Sequence, residues 1–219
     1  MISLLLAATL ILGTAGKPVI HQSIDVDEKR AIHFTDEVNE ASADHFIGEL
    51  QGLNGRKPVW VVINSGGGSI SEGFRMENAI EQAKKEHPVN CIVEGRAMSM
   101  AAGLLGHCSV KYMEPGSELL YHTGSTAAQG ERLTVIAQIA HDKAMFDYMD
   151  ADNATHLHIS LLTYMDRIRD GGWYLTAEQA CKAGAADAIV DGYVSPVKLH
   201  TLQITDPDSP DWFLKTFGP

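Results

Sequence analysis

In "EGRAMSMAAGLL", residues 94–105, one hydroxyl, Ser99, stands among small side chains. Upstream, "INSGGGSI", residues 63–70, sets three consecutive glycines at the end of an apolar run. Downstream, "LLYHTG", residues 119–124, closes another apolar run on His122. A hydroxyl nucleophile, an imidazole base and outward-turned backbone N–H groups are the requirements of acyl transfer through a tetrahedral oxyanion. Ser99 is expected just after a buried strand, within the first turn of the next helix. There backbone N–H groups lack intrahelical partners and the helix dipole favours negative charge. One of the glycines, with no Cβ in the way, can turn its N–H outward and form a two-donor oxyanion hole with the N–H of Met100. Ser99 as a mere packing residue is the competing reading, since small side chains also permit tight helix packing.

The other polar candidates are weaker. The glycine run does not match a phosphate loop: position 71 is Ser and no Lys follows, so neither GxxxxGK[ST] nor GxGxxG is present. His21, His33, His45, His87 and His107 fall in charged or helix-end contexts, and His156 with His158 forms an HxH pair on an expected surface helix. Such a pair is a poor metal signal by itself.

These groups need elements to position them. "PVWVVIN", residues 58–64, is a continuous β-branched run, the pattern of a strand buried on both faces in a parallel sheet. "SEGFRMENAIEQAKKEH" carries apolar residues near helical spacing and reads as an amphipathic crossover helix. "VNCIVEG" is then a strand, "AMSMAAGLLGHC" a helix, and "VKYM" and "ELLYH" are short strands around the turn "EPGS". Strand-helix-strand repetition predicts an α/β fold of right-handed βαβ units. Long helical patterns follow, and "TAEQACKAG" predicts a helix capped by Thr176 and stopped by Gly184.

The 219 residues, 45% of them apolar, suit one domain with short extensions. With 28 acidic and 17 basic residues the formal charge is −11, the opposite of a phosphate-tracking surface, so nucleic acid is excluded as the expected partner. Cys91, Cys108 and Cys181 are odd in number, far apart and outside any CxxC pair, which predicts small buried residues rather than a disulfide framework or zinc ribbon. Residues 1–16 are apolar and end on small residues, with no preceding Lys or Arg. They read equally as a signal peptide or an apolar arm, which leaves the location cytoplasmic or extracytoplasmic. A domain over 17–195 and an irregular tail over 196–219, with Trp212 and Phe213 as apolar anchors, complete the expected organisation.

Taken together, "INSGGGSISEGFRMENAI", "GRAMSMAAGLL", "PGSELLYHTG", "WYLTAEQACKAGAADAIVD" and, upstream, "AIHFTDEVNEASADHFIGEL" resemble, in order and spacing, the segments of the Clp protease proteolytic subunit family, in the ClpP/crotonase superfamily. The resemblance spans about residues 31–193. It departs where Gly66 replaces a proline and where Thr123 and Gly124 replace the glutamine and proline after the histidine. The resemblance implies a repeated ββα core with a protruding handle helix over residues 131–168, and a serine endopeptidase without metal or cofactor. It implies Ser99 as nucleophile, His122 as base, and Gly68 with Met100 as oxyanion donors. The family's acid position falls on Gly172, so Asp170 is the nearest candidate acid. Implied partners are peptide or unfolded protein substrates, further copies of the chain in a ring, and a ring ATPase if the chain is cytoplasmic. A catalytically impaired ring subunit and a crotonase-type acyl-CoA enzyme are the alternatives.

Overall fold

A computed structural model describes residues 19–194; the apolar segment 1–16 and the tail with Trp212 and Phe213 lie outside the described residues. Six parallel strands form the main path of the sheet: β1 (His21–Asp25), β8 (Ala188–Val194), β5 (Val110–Met113), β4 (Val89–Met98), β3 (Val59–Ser65) and β2 (Ala31–Phe34), in that spatial order. Two short strands branch from it. β6 (Glu118–Tyr121) runs parallel to the end of β4, and β7 (Trp173–Thr176) pairs antiparallel to β6. The helices are α1 (Glu40–Gly52), α2 (Ile70–Ala83), α3 (Met100–Gly106), α4 (Arg132–His156), α5 (Leu161–Ile168) and α6 (Ala177–Ala183). This is the predicted α/β architecture of mostly parallel strands.

β3 shows why the sheet is parallel and central. Val59, Val61 and Ile63 enter the large core beneath the helices, while Trp60 and Val62 enter a second cluster with Ile92, Tyr112 and Val190. Side chains alternate across a strand, so an unbroken apolar run must bury both faces. α6 forms as its sequence predicts: Thr176 and Gln179 make a capping box, and Gly184 closes the helix at φ 82°.

Three expectations change. β4 does not stop at Gly95 but continues to Met98, because Arg96, Ala97 and Met98 pair with Glu118, Leu119 and Leu120 of β6. The register against β3 slips between Ile63 and Ser65, and Gly95, at φ 92°, lets the strand bulge there. The expected handle over 131–168 is two helices, not one. His158 adopts φ 55° and Ser160 caps a new helix by accepting from the N–H of Thr163. α4 alone projects: its buried residues, Met149, Asp150, Asn153 and Ala154, all lie in its last third. Finally, Cys91 and Cys108 are joined as a disulfide, with Cα atoms 5.8 Å apart, while Cys181 is free and buried. The parallel crossover returns the end of α3 to the start of β4, a proximity that sequence separation hides.

Candidate active site

Ser99 occupies the junction between β4 and α3, one position before the first helical residue rather than inside the first turn. Its backbone is held at φ 54°, ψ −124°. Among the described residues only Ser99 and His158 combine a side chain with positive φ. Such a conformation costs of order 1–3 kcal/mol and persists where neighbours over-determine it. Here the Ser99 N–H donates to the Leu120 carbonyl at 2.8 Å, and the Ser99 carbonyl accepts from the N–H of Ala102 at 2.9 Å. A strand bond fixes one side of the residue and a helix bond the other. The sharp strand-to-helix turn that results is the kind that lifts a nucleophilic side chain out of a sheet.

The glycine turn is built around that serine. The Ser65 hydroxyl donates to the Asp36 carbonyl at 2.5 Å and accepts from the Gly67 N–H at 3.2 Å. A Cβ on Gly67, which sits at φ 86°, would lie 2.8 Å from Ser99 Cβ and 2.9 Å from Met100 N. No side chain fits there. Val38 bridges Gly68 in parallel: its N–H donates to the Gly67 carbonyl and its carbonyl accepts from the Ser69 N–H, each at 2.8 Å. In a parallel bridge the central residue's own N–H and C=O point away from its partner. The Gly68 N–H therefore points away from Val38. The Met100 N–H belongs to the first turn of α3 and has no intrahelical acceptor. Ser65 and Gly67 are site residues that the sequence signals only through the triple glycine.

His122 follows β6 directly and is half-buried. Since Met98 pairs with Leu120, the chain just beyond β6 runs beside the Ser99 turn. Across β6 and β7, Tyr121 faces Trp173, so the register carries His122 opposite Gly172. A Cβ on Gly172 would lie 3.3 Å from His122 Cβ. The position that the resemblance assigns to the acid is thus beside the histidine, but Gly172 fills it. Asp170 lies beyond the Gly171–Gly172 turn, with its side chain 85% exposed and 3.5 Å from Arg169 Nε. Gly67 packs against Ser99 and Met100, and His122 follows two residues after Leu120, whose carbonyl accepts from the Ser99 N–H; Asp170 stands apart, exposed before the Gly171–Gly172 turn.

Beside Gly68 a cleft of about 350 Å³ opens between the glycine turn and α4, lined by Ile70, Thr126, Met145 and Phe146 among others. Two carboxyl groups outside the set of Ser99, His122 and Asp170 are strongly perturbed. Burial pushes Glu77 up to about 8 and Asp150 up to about 6. Burial works to lower His107, but its bond to Asp152 and the charge of Glu77 outweigh that and hold it above the ordinary imidazole range. The His107–Asp152 pair, 3.0 Å apart, is no part of the Ser99 site. His107 caps the far end of α3, and eight steps of 1.5 Å each set it about 12 Å from Ser99. A protein-family model described as Clp protease matches residues 17–192, the span that carries all of these groups, and the chain belongs to the Clp protease family.

Proposed function

We propose that the chain is a serine endopeptidase that cleaves peptides or unfolded proteins inside a ring of its own copies. Membership of the Clp protease family supports a peptidase function. The observation that carries the serine mechanism is the strained Ser99, at φ 54°, set between a strand and a helix with the Gly67–Gly68 turn against it. The Ser99 hydroxyl attacks the substrate carbonyl and passes its proton to His122. The N–H groups of Gly68 and Met100 receive the oxyanion, and the leaving amine takes the proton from His122 as the acyl-enzyme forms. Water, deprotonated by His122, then releases the acid product. Asp170 serves as the acid on His122 once the Gly171–Gly172 turn closes. Both glycines hold positive φ, and open space surrounds Gly171.

The ring reading rests on α4. Leu133, Ile136 and Ile139 are 72%, 57% and 51% exposed on its projecting part, and apolar surface of that kind marks an interface. The cleft beside Gly68 offers a substrate side chain a mixed lining, with Ile70, Met145 and Phe146 beside Gln138, His141 and Asp142. A ring ATPase is the further partner if the protein works in the cytoplasm. A second reading, a ring subunit that assembles without cutting, is favoured by Gly172 standing where the acid should face His122.

Labelling with a fluorophosphonate and mapping the adduct tests the proposal. An adduct on Ser99, lost when the protein is unfolded beforehand, is the expected result. Absence of any adduct on the assembled protein would leave the non-cutting subunit or an acyl-CoA enzyme in its place.

A further inference from the structure

At the end of α3 away from Ser99, three helix C-termini converge. α2 ends at Ala83, α3 at Gly106 and α4 at His156. Each brings the negative end of its helix dipole, about half a negative charge. Six titratable side chains meet there: Glu77 and Glu81 of α2 with Lys84 at its cap, His107 at the cap of α3, and Asp152 and His156 of α4. The approach is close, since a Cβ on Gly106 would lie 3.2 Å from His156 Cβ. Any larger residue at 106 would push α4 away.

The donor atoms are spaced as ligands rather than as scattered ion pairs. His107 Nε2 lies 3.0 Å from Asp152 Oδ2, and His156 Nε2 lies 3.7 Å from Asp152 Oδ1. One ligand atom from each of the three residues lies within 4.8 Å of the other two. Glu77 Oε2 stands 3.6 Å from the same His107 Nε2 and is buried with it. Four donors at 2.0–2.1 Å from a tetrahedral cation are separated by about 3.4 Å, so small movements bring these atoms into a shell.

The outer layer is also in place. His107 Nδ1 lies 3.1 Å from Glu81 Oε1, and Lys84 Nζ donates both to that oxygen and to the His107 carbonyl, each at 2.8 Å. A carboxylate on the far nitrogen of an imidazole fixes its tautomer and directs the other nitrogen's lone pair at a metal. Imidazole and carboxylate together are the ligand chemistry of Zn²⁺.

We propose that His107, Asp152 and His156 form a divalent-cation site of the zinc class, with Glu77 as fourth donor and Glu81 as the supporting carboxylate. The site ties the root of the projecting α4 to α2 and α3. It is independent of the peptidase reading. Although His156 belongs to the HxH pair, His158 is not needed; the partners come from α3 and from one turn earlier in α4.

The test uses the full chain, stripped with a chelator and dialysed against Zn²⁺. Wild type is expected to retain one zinc per chain, to melt at a higher temperature with zinc than without, and to give a visible ligand-field band with Co²⁺. Asp152→Asn and His156→Ala should each lose the zinc and the melting shift. Glu81→Gln should weaken affinity by about 10–100-fold, as supporting carboxylates do. His45→Ala and His158→Ala should bind as wild type does. His107 is buried and its variant is the one most exposed to misfolding, so the half-exposed His156 and Asp152 decide the outcome. Failure of wild type to hold zinc, or equal binding by Asp152→Asn and His156→Ala, would overturn the site.

Discussion

α3 is one short helix with two unlike ends. At its start the chemistry resides in the backbone: a strained Ser99, a Gly67 that no other residue can replace, and N–H groups left without acceptors. At its finish the chemistry resides in side chains, with His107 between carboxylates from α2 and α4. The difference teaches where each kind of site is written. A backbone site needs particular residues at particular places in one stretch of chain, whereas a side-chain cluster needs only that distant stretches meet.

The largest expected effect breaks the first end alone. Ser99→Ala should lower peptide hydrolysis by roughly 10⁴-fold or more while zinc retention at the other end is unchanged. Fluorogenic peptide assays beside metal analysis check both. Gly68→Ala comes next: at φ 149° its Cβ would run into the Val38 carbonyl, displacing an oxyanion donor, and kcat should fall by about 10²–10³-fold with KM little moved. A rise in KM with kcat unchanged would place Gly68 outside the oxyanion site. Asp170→Asn probes the Ser99 end further. A loss of about 10²-fold in kcat is expected if the Gly171–Gly172 turn delivers the carboxylate to His122; a near-normal kcat would mean that a Ser–His dyad suffices.

The smallest expected effect on catalysis concerns the disulfide that ties the end of α3 to the start of β4. Reducing the Cys91–Cys108 disulfide, or replacing Cys108 by Ala, should cost about 3 kcal/mol of stability, the scale for closing a loop of this length. Denaturant melts with and without reductant measure it, and the rate at saturating peptide should change little.

Most of what surrounds Ser99 is legible in the sequence because local rules decide it. The β3 run has to bury both faces, Thr176 and Gly184 have to bound α6, and small residues around Ser99 have to admit close backbone approach. The hidden parts are those settled by tertiary pairing. β4 runs past Gly95 because β6 lies alongside it. The long helical pattern breaks at His158 through a backbone angle that periodicity does not report. Asp170 matches the required residue type, but the turn geometry carries it into solvent. Cys91 meets Cys108, and His107 meets Asp152, only because the crossover folds β4 and α3 back on themselves and sets α4 against them.

The disulfide closes the chain around Ser99. Cys91 and Cys108 stand at the two ends of the segment made of β4, Ser99 and α3, so that segment is a covalent ring. A single backbone cut anywhere between them would open the ring without releasing either half. On a denaturing gel the nicked chain would run as one band until reductant was added, and then as two. Damage at the loop that bears Ser99 would therefore be retained within the molecule, and a cleaved chain would remain one covalent assembly for as long as its surroundings stayed oxidising.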